Sequence, residues 1–194
     1  MMKDRISRRG ILLGAGAVLA APALAGRALA EAPASEDQDM VRRNIMSFHG
    51  QDWRDHFQTL RRGAILCDTR SRALHYWSAD GETHLVYPTS VPMAEHFTRR
   101  GYTEITLMRR NPVWIPTPNM RERDPSLPAR VEAGPQNPMG TRAMNLTWQY
   151  YRIHGIDDVA KIGRQASNGC IGLFNHHVET LFELVGVGTQ VRVI

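Results

Sequence analysis

Cysteine is scarce in this chain: two residues, Cys67 and Cys170, among 194. That is too few for a fold assembled from disulfides. The CxxC, HxxxH and HExxH spacings that hold zinc are also missing, so no metal and no cofactor is expected. No cysteine precedes Cys67, which excludes lipid attachment near the N-terminus. There is no internal repeat, and no low-complexity tract beyond the first thirty residues. The longest uncharged stretch, Gly10 to Gly26, is seventeen residues rich in Ala and Gly. It is short and weakly apolar for a membrane span.

An excess of charge is missing too, once its location is considered. The chain has 24 basic and 19 acidic residues. Five of the basic residues (Lys3, Arg5, Arg8, Arg9, Arg27) and one acid (Asp4) lie in residues 1–30, which leaves 19 basic against 18 acidic in the remainder. The basicity therefore belongs to the N-terminus, and a nucleic-acid partner is not expected. A charged start, an uncharged run and Ala28-Leu29-Ala30 make the three-part plan of a cleavable export signal over residues 1–30. The twin arginines Arg8-Arg9 favour the Tat route over Sec. The expected location is the periplasm or cell envelope, with no stable membrane span after signal removal. An uncleaved anchor is the alternative.

Residues 31–45 are polar and aperiodic and read as a linker. Trp53, Phe57 and Leu60 follow at helical spacing before Gly63, predicting a short helix between Ser47 and Arg62 whose His49 and His56 face solvent. From residue 63 the pattern changes to short β-branched and aromatic runs separated by turns: 64–67, 73–77, 83–87 and 102–108. Pro92 to Arg100 predicts a second short helix. Residues 112–138 hold seven of the eleven prolines, which excludes a long regular element and suggests a stiffened lid or groove wall. Strands are expected at 143–147 and 149–153. A helix capped by Asn175 follows, with Val178, Leu181, Phe182 and Val185 on one face, and then a closing strand at 190–194. The fold class is mainly β and sandwich-like, with a few short helices, one of them after Cys170. The domain plan is 1–30 export signal, 31–62 linker and short helix, and 63–194 a single main domain.

The chemistry-bearing stretch runs from Tyr150 to Phe174. His154-Gly155 precedes Ser167-Asn168-Gly169-Cys170-Ile171. An imidazole that takes a thiol proton makes a nucleophile, so Cys170 is the candidate nucleophile and His154 the candidate proton acceptor. Gly169 lets the chain turn tightly and display the sulfur while backbone N–H groups face a developing oxyanion. Ser167 and Asn168 supply short polar groups to orient the imidazole or bind substrate. Tyr151 and Gly155 join Asn168 as candidate substrate contacts. Asp157 and Asp158 read as solvent-facing acids. Cys67, in the apolar run Gly-Ala-Ile-Leu-Cys, reads as a buried free thiol rather than a partner of Cys170.

The run His154-Gly155, a spacer, then Ser167-Asn168-Gly169-Cys170 resembles the signature of the L,D-transpeptidase (YkuD-type) catalytic domain. Trp114-Ile115-Pro116-Thr117-Pro118, Gly134 to Gly140 and Gly188-Thr189-Gln190-Val191 support the resemblance over residues 63–194. It implies a cysteine acyltransferase acting on peptidoglycan stem peptides. The thiolate attacks the L-centre carbonyl of a diamino acid, expels D-alanine, and passes the acyl group to an amine on a stem or a protein, or to water. Cys170 and His154 carry the reaction in that reading, Ser167 and Gly169 shape the site, and a monomer suffices. Two positions depart from the family pattern: Gly172 where Arg is common, and Ile156 where Thr is common. The absent Arg removes a charge that would help hold the site or a carboxylate; Arg164 or Arg152 is the candidate substitute, with a surface strand or loop charge as the favoured reading of each. A catalytically impaired wall-binding module and an L,D-carboxypeptidase are the alternatives. A papain-like peptidase would place its cysteine before its histidine, the reverse of the order here.

Overall fold

Ten strands and two short α-helices follow one another in the computed structural model, which describes residues 50–194. The expected leader, the polar stretch to residue 45 and His49 lie outside the described residues. The strands are β1 (Ala64–Asp68), β2 (Ala73–Trp77), β3 (His84–Pro88), β4 (Val91–Pro92), β5 (Gly101–Arg110), β6 (Arg142–Leu146), β7 (Arg152–Gly155), β8 (Gln165–Ser167), β9 (Ile171–Leu173) and β10 (Gln190–Val193). The helices are α1 (Pro118–Arg123) and α2 (Asn175–Leu184). Eight strands form one sheet in the order β3-β2-β1-β10-β5-β6-β7-β9, and β4 pairs with β8 apart from it. Pairing is antiparallel except at β1/β10, β7/β9 and β4/β8. Among the described residues no helix is long and apolar enough to cross a membrane.

The mainly β expectation holds, and every strand of the large sheet feeds one core. Ile65, Leu74, Tyr87, Val191, Ile105, Met144, Ile153 and Ile171 come from the eight strands in turn, and Val178, Leu181 and Phe182 come from α2. Strand β1 is buried along its whole length because both of its faces are covered. Ile65 and Cys67 point into that core, whereas Ala64 and Leu66 point to a second cluster with Trp77, Phe57 and Leu60. The 3.6-residue spacing of Trp53, Phe57 and Leu60 thus reported burial on the back of β1. The expected helix is only a 3-10 turn at Trp53–Asp55, capped by Asp52, because an irregular segment buries those side chains equally well.

The helix expected over 92–100 is also replaced. Val91 and Pro92 pair with β8, and Met93 N donates to Ser167 O at 2.9 Å, so sheet bonds claim the backbone a helix would need. One 3-10 turn at Glu95–Phe97 remains. Residues 149 and 150 form a turn instead of the start of a strand. Asn175 does not cap α2: its Oδ1 accepts from Thr141 N at 3.0 Å and its Nδ2 donates to Ile156 O at 3.1 Å, tying β6 to the end of β7. Phe174 takes the cap position.

Candidate active site

Two periodicities bring the site together. Strands β7 and β9 run parallel with Ile153 opposite Ile171, both facing the core. Side chains alternate along a strand, so Arg152 and His154 on one chain, and Cys170 just before β9 on the other, share the opposite face. That face opens on a cavity of about 580 Å³ lined by Cys170, His154, Ser167, Asn168, Tyr151 and Arg152. The proline-rich segment supplies its far wall, including Trp114, Ile115, Met120, Leu127 and Met139.

That wall is stiff for identifiable reasons. Trp114 and Val131 exchange backbone hydrogen bonds of 2.9 Å across its base. Asn137 is fully buried there; its Nδ2 donates to Pro112 O (2.8 Å) and Glu132 O (3.0 Å), and its Oδ1 accepts from Met139 N (2.8 Å). Helix α1 begins with Pro118 behind the capping Thr117, a placement that uses proline's missing N–H at no loss. At the other end of α1, Arg123 lies over the Phe97 ring and donates to Asn168 Oδ1 at 2.5 Å. Asn168 therefore joins the wall to the cysteine turn.

Within the turn, Ser167 Oγ donates to Cys170 O at 2.6 Å and accepts from Gly169 N at 3.3 Å. Ser167 holds the turn and makes no bond to His154, contrary to one of its two expected uses. Gly169 has φ +124°, a conformation that favours glycine, and a Cβ there would sit tightly, 3.1 Å from the Tyr151 ring. The Tyr151 hydroxyl donates to Phe97 O at 2.9 Å, fixing that ring as cavity wall. Gly155 is buried and does not line the cavity, which corrects its expected contact with substrate: a Cβ there would meet Asn175 Oδ1 at 2.2 Å. Its carbonyl instead accepts from His154 Nδ1 at 2.5 Å. That bond assigns the tautomer and leaves Nε2 with the lone pair. Asp157 and Asp158 do not orient the ring; both lie near Lys161, at 3.8 and 3.7 Å.

Burial pushes the His154 imidazole down to about 4, against the smaller opposing effect of the Gly155 carbonyl. It also pushes the Cys170 thiol above its ordinary range, with the charge and the N–H groups of Arg152 pulling the other way. The resting pair is thus a neutral thiol and a neutral imidazole. The thiol donates to Tyr150 O at 3.4 Å, and Tyr150 holds φ +68°, a left-handed conformation that costs a non-glycine residue roughly 1–2 kcal/mol. Cys67 and Cys170 are both free.

The two departures from the family pattern turn out to touch. A Cβ at Gly172 would lie 2.7 Å from Ile156 Cγ2 and 2.3 Å from Ser90 Oγ, and Ser90 and Gly172 exchange backbone hydrogen bonds of 2.9 and 3.1 Å. No side chain fits at position 172 while Ile156 and Ser90 stand where they do. Arg164 is exposed and outside the cavity, as expected of a surface charge. Arg152 is not a surface charge: it is half-buried, lines the cavity and donates from Nε to Asn145 Oδ1 at 3.1 Å. Its position two residues before His154 on one strand was the available signal. Ser90, Arg123 and the Tyr150 carbonyl had no comparable signal, since each reaches the site from a distant segment or through its backbone.

The L,D-transpeptidase catalytic-domain model matches residues 62–193. A Fuscovulum blasticum protein named for the L,D-transpeptidases and for its place in an ATP synthase subunits region (ORF 5) is 48% identical over 198 residues, the full length of both chains. The Escherichia coli ErfK/SrfK protein, which carries the same family name, is 39% identical over 141 residues, 70% of this chain and 45% of that protein. Among solved structures, an L,D-transpeptidase from Mycobacterium smegmatis matches with a TM-score of 0.51 at 23% identity, over 69% of this chain and 58% of the other. One from Stackebrandtia nassauensis matches with a TM-score of 0.53 at 17% identity, over 81% and 65%. These two likenesses concern the fold alone. On the family match, supported by the relatives, this chain belongs to the L,D-transpeptidase catalytic-domain family.

Proposed function

We propose that the chain is a cysteine acyltransferase that uses peptidoglycan stem tetrapeptides as acyl donors, with Cys170 as nucleophile and His154 as proton acceptor. The observation that carries this reading is the single cavity face shared by Cys170 and His154, with Nε2 of the ring free to accept. His154 takes the thiol proton as Sγ attacks the L-centre carbonyl carbon of the diamino acid. N–H groups of the 167–170 turn receive the oxyanion. Collapse breaks the C–N bond, the imidazolium gives its proton to the departing D-alanine amine, and a thioester remains on Cys170. An amine of a second stem or of an acceptor protein, or water, then attacks that thioester, and its proton returns through His154. The thiolate leaves and is reprotonated. A neutral resting pair suits this order, because proton transfer and attack occur together only when a carbonyl is present.

The leader reading makes the export route Tat and the working location the periplasm or cell envelope, where such stems are found. A monomer suffices, since one chain supplies the nucleophile, the base and the cavity. The test is mass spectrometry of the purified protein incubated with disaccharide-tetrapeptide. The expected results are free D-alanine and a thioester adduct on Cys170, and the absence of both overturns the proposal. Binding of the tetrapeptide without either product would make the chain a wall-binding module instead.

A further inference from the structure

The site contains a cation that the proposed reaction has not used. Arg152 is half-buried in the cavity floor beside the nucleophile, and among the described residues no carboxylate pairs with it. Desolvating a guanidinium is costly unless it is paired, and an unpaired one facing a cavity is a ready anion site. Asn145 Oδ1 accepts from its Nε and orients the planar head, which also hydrogen-bonds the Cys170 sulfur; of the five N–H donors of a guanidinium, that leaves some for an anion beside the nucleophile. Two more cations, Arg123 and Lys161, line the same cavity. Asp157 is its one acid, and that acid already lies 3.8 Å from Lys161. The position two residues after the nucleophile, by contrast, is sealed by Ser90 and Ile156 around Gly172 and admits no charged side chain.

We infer that Arg152 binds the free carboxylate of the leaving residue, making the chain selective for acyl donors whose scissile bond is followed by a C-terminal carboxylate. The inference rests on the reading of the chain as a tetrapeptide acyltransferase. In such a donor the terminal D-alanine carboxylate lies two bonds from the scissile nitrogen, within the neighbourhood of a group that already flanks Cys170. A carboxylate on Arg152 also changes the chemistry beside it. The guanidinium opposes a positive charge on His154 and favours the Cys170 thiolate, so an anion that neutralises it eases imidazolium formation and at the same time makes the thiolate harder to form.

The experiment compares the tetrapeptide stem ending in D-alanine with the same peptide ending in D-alaninamide. Equilibrium binding is measured to full-length protein carrying Cys170→Ala, so the result does not depend on turnover. The expected preference for the carboxylate is roughly 10- to 100-fold, the span supplied by a charge-assisted hydrogen bond to a half-buried arginine. Adding Arg152→Gln should reduce that preference to about threefold or less, whereas Arg152→Lys should keep a part of it by charge alone. Equal binding of the two peptides, no binding of either, or an unchanged preference in Arg152→Gln overturns the inference. A general packing defect would weaken both peptides together and leave their ratio intact, and this too counts against it. D-alanine release by the unsubstituted protein is measured in parallel. Its absence with carboxylate-selective binding retained would sink the acyltransferase reading and leave the Arg152 site standing.

Discussion

The two cysteines occupy neighbourhoods that look alike in outline and differ in one geometric respect. Each thiol is raised by burial, and each has a histidine on the adjoining strand whose imidazole is pushed down to about 4, His75 near Cys67 and His154 near Cys170. On β1 and β2, Leu66 pairs with His75 and Cys67 pairs with Leu74. The pleat therefore puts Cys67 in the main core and turns His75 to the other face, where it stacks with Trp77 and His84. On β7 and β9 the same alternation puts His154 and Cys170 on one face, with a cavity in front of them. Closeness of a thiol and an imidazole along the ladder is not sufficient; sharing a face of the sheet is what makes a candidate catalytic pair.

The strongest way to break this contrast is to remove each sulfur in turn. Cys170→Ala should abolish D-alanine release and the covalent adduct while leaving the melting temperature within a few degrees. Residual turnover in that variant would transfer the chemistry elsewhere. Alkylation gives the next largest effect. Iodoacetamide should label Cys170 in the folded protein at a rate that climbs as pH rises toward the alkaline range, because burial holds that thiol above its ordinary value. Cys67, about 1% exposed, should react only after unfolding. Peptide mapping of the labelled protein separates the two, and early labelling of Cys67 would contradict its place in the core.

How much of this was legible beforehand follows the same division. Cys170 and His154 were readable because their local strings, Ser-Asn-Gly-Cys and His-Gly, carry the turn chemistry in sequence. The strand runs at 64–67 and 73–77 were readable because β-branched and aromatic residues mark pleated, buried segments. The helices at 47–62 and 92–100 were misread because apolar spacing reports which side chains are buried and not which backbone partner is available. Pro92 and Met93 find that partner in β8, more than seventy residues away. Arg152 was misread as a surface charge for a related reason: alternation along β7 puts it with His154, but only the β9 register shows that Cys170 lies there too.

Gly172 sharpens the contrast from a different side, since the backbone beside the open site leaves no room for a Cβ between Ser90 and Ile156. Gly172→Ala should destabilise the fold by about 1–3 kcal/mol, the usual cost of forcing a methyl into a filled core. Urea unfolding of the single and double variants checks the contact. Ile156→Ala makes room at the same spot, so the double variant should lose less than the two single losses added together. Strict additivity would mean that the two departures from the family pattern are independent after all.

The imidazoles predict a smaller, graded effect. His154, His75 and His177 all fold with values near 4, below the ordinary 6.5, chiefly because burial disfavours the charged ring. Between those limits the unfolded chain binds more protons than the folded one. Stability is therefore full above about pH 6.5, falls as pH drops, and has lost this contribution by about pH 4. Melting temperatures across that window should show the slope, and His154→Gln should flatten it in part. For the reaction, the same depression moves the acid limb of kcat/KM toward pH 4, keeping His154 able to accept a proton throughout the neutral range.

Cys67→Ala should have the smallest effect, and its smallness is informative. The sulfur is packed in the core near Leu74 and Val193, its strand's cross-ladder partners, and it does not line the cavity. Deleting it removes one buried atom's contacts and leaves a void smaller than a water molecule, so a loss of about 1 kcal/mol in stability is expected. Turnover on the tetrapeptide should stay within about twofold, because no hydrogen bond runs from Cys67 to the β7–β9 face and a 1 kcal/mol loss of fold stability leaves nearly all molecules folded. Denaturant unfolding and D-alanine release measured on the same sample separate the two effects. A large loss of turnover at unchanged stability would mean that the core around Cys67 shapes the distant site, and the division between the two thiols would then have to be abandoned.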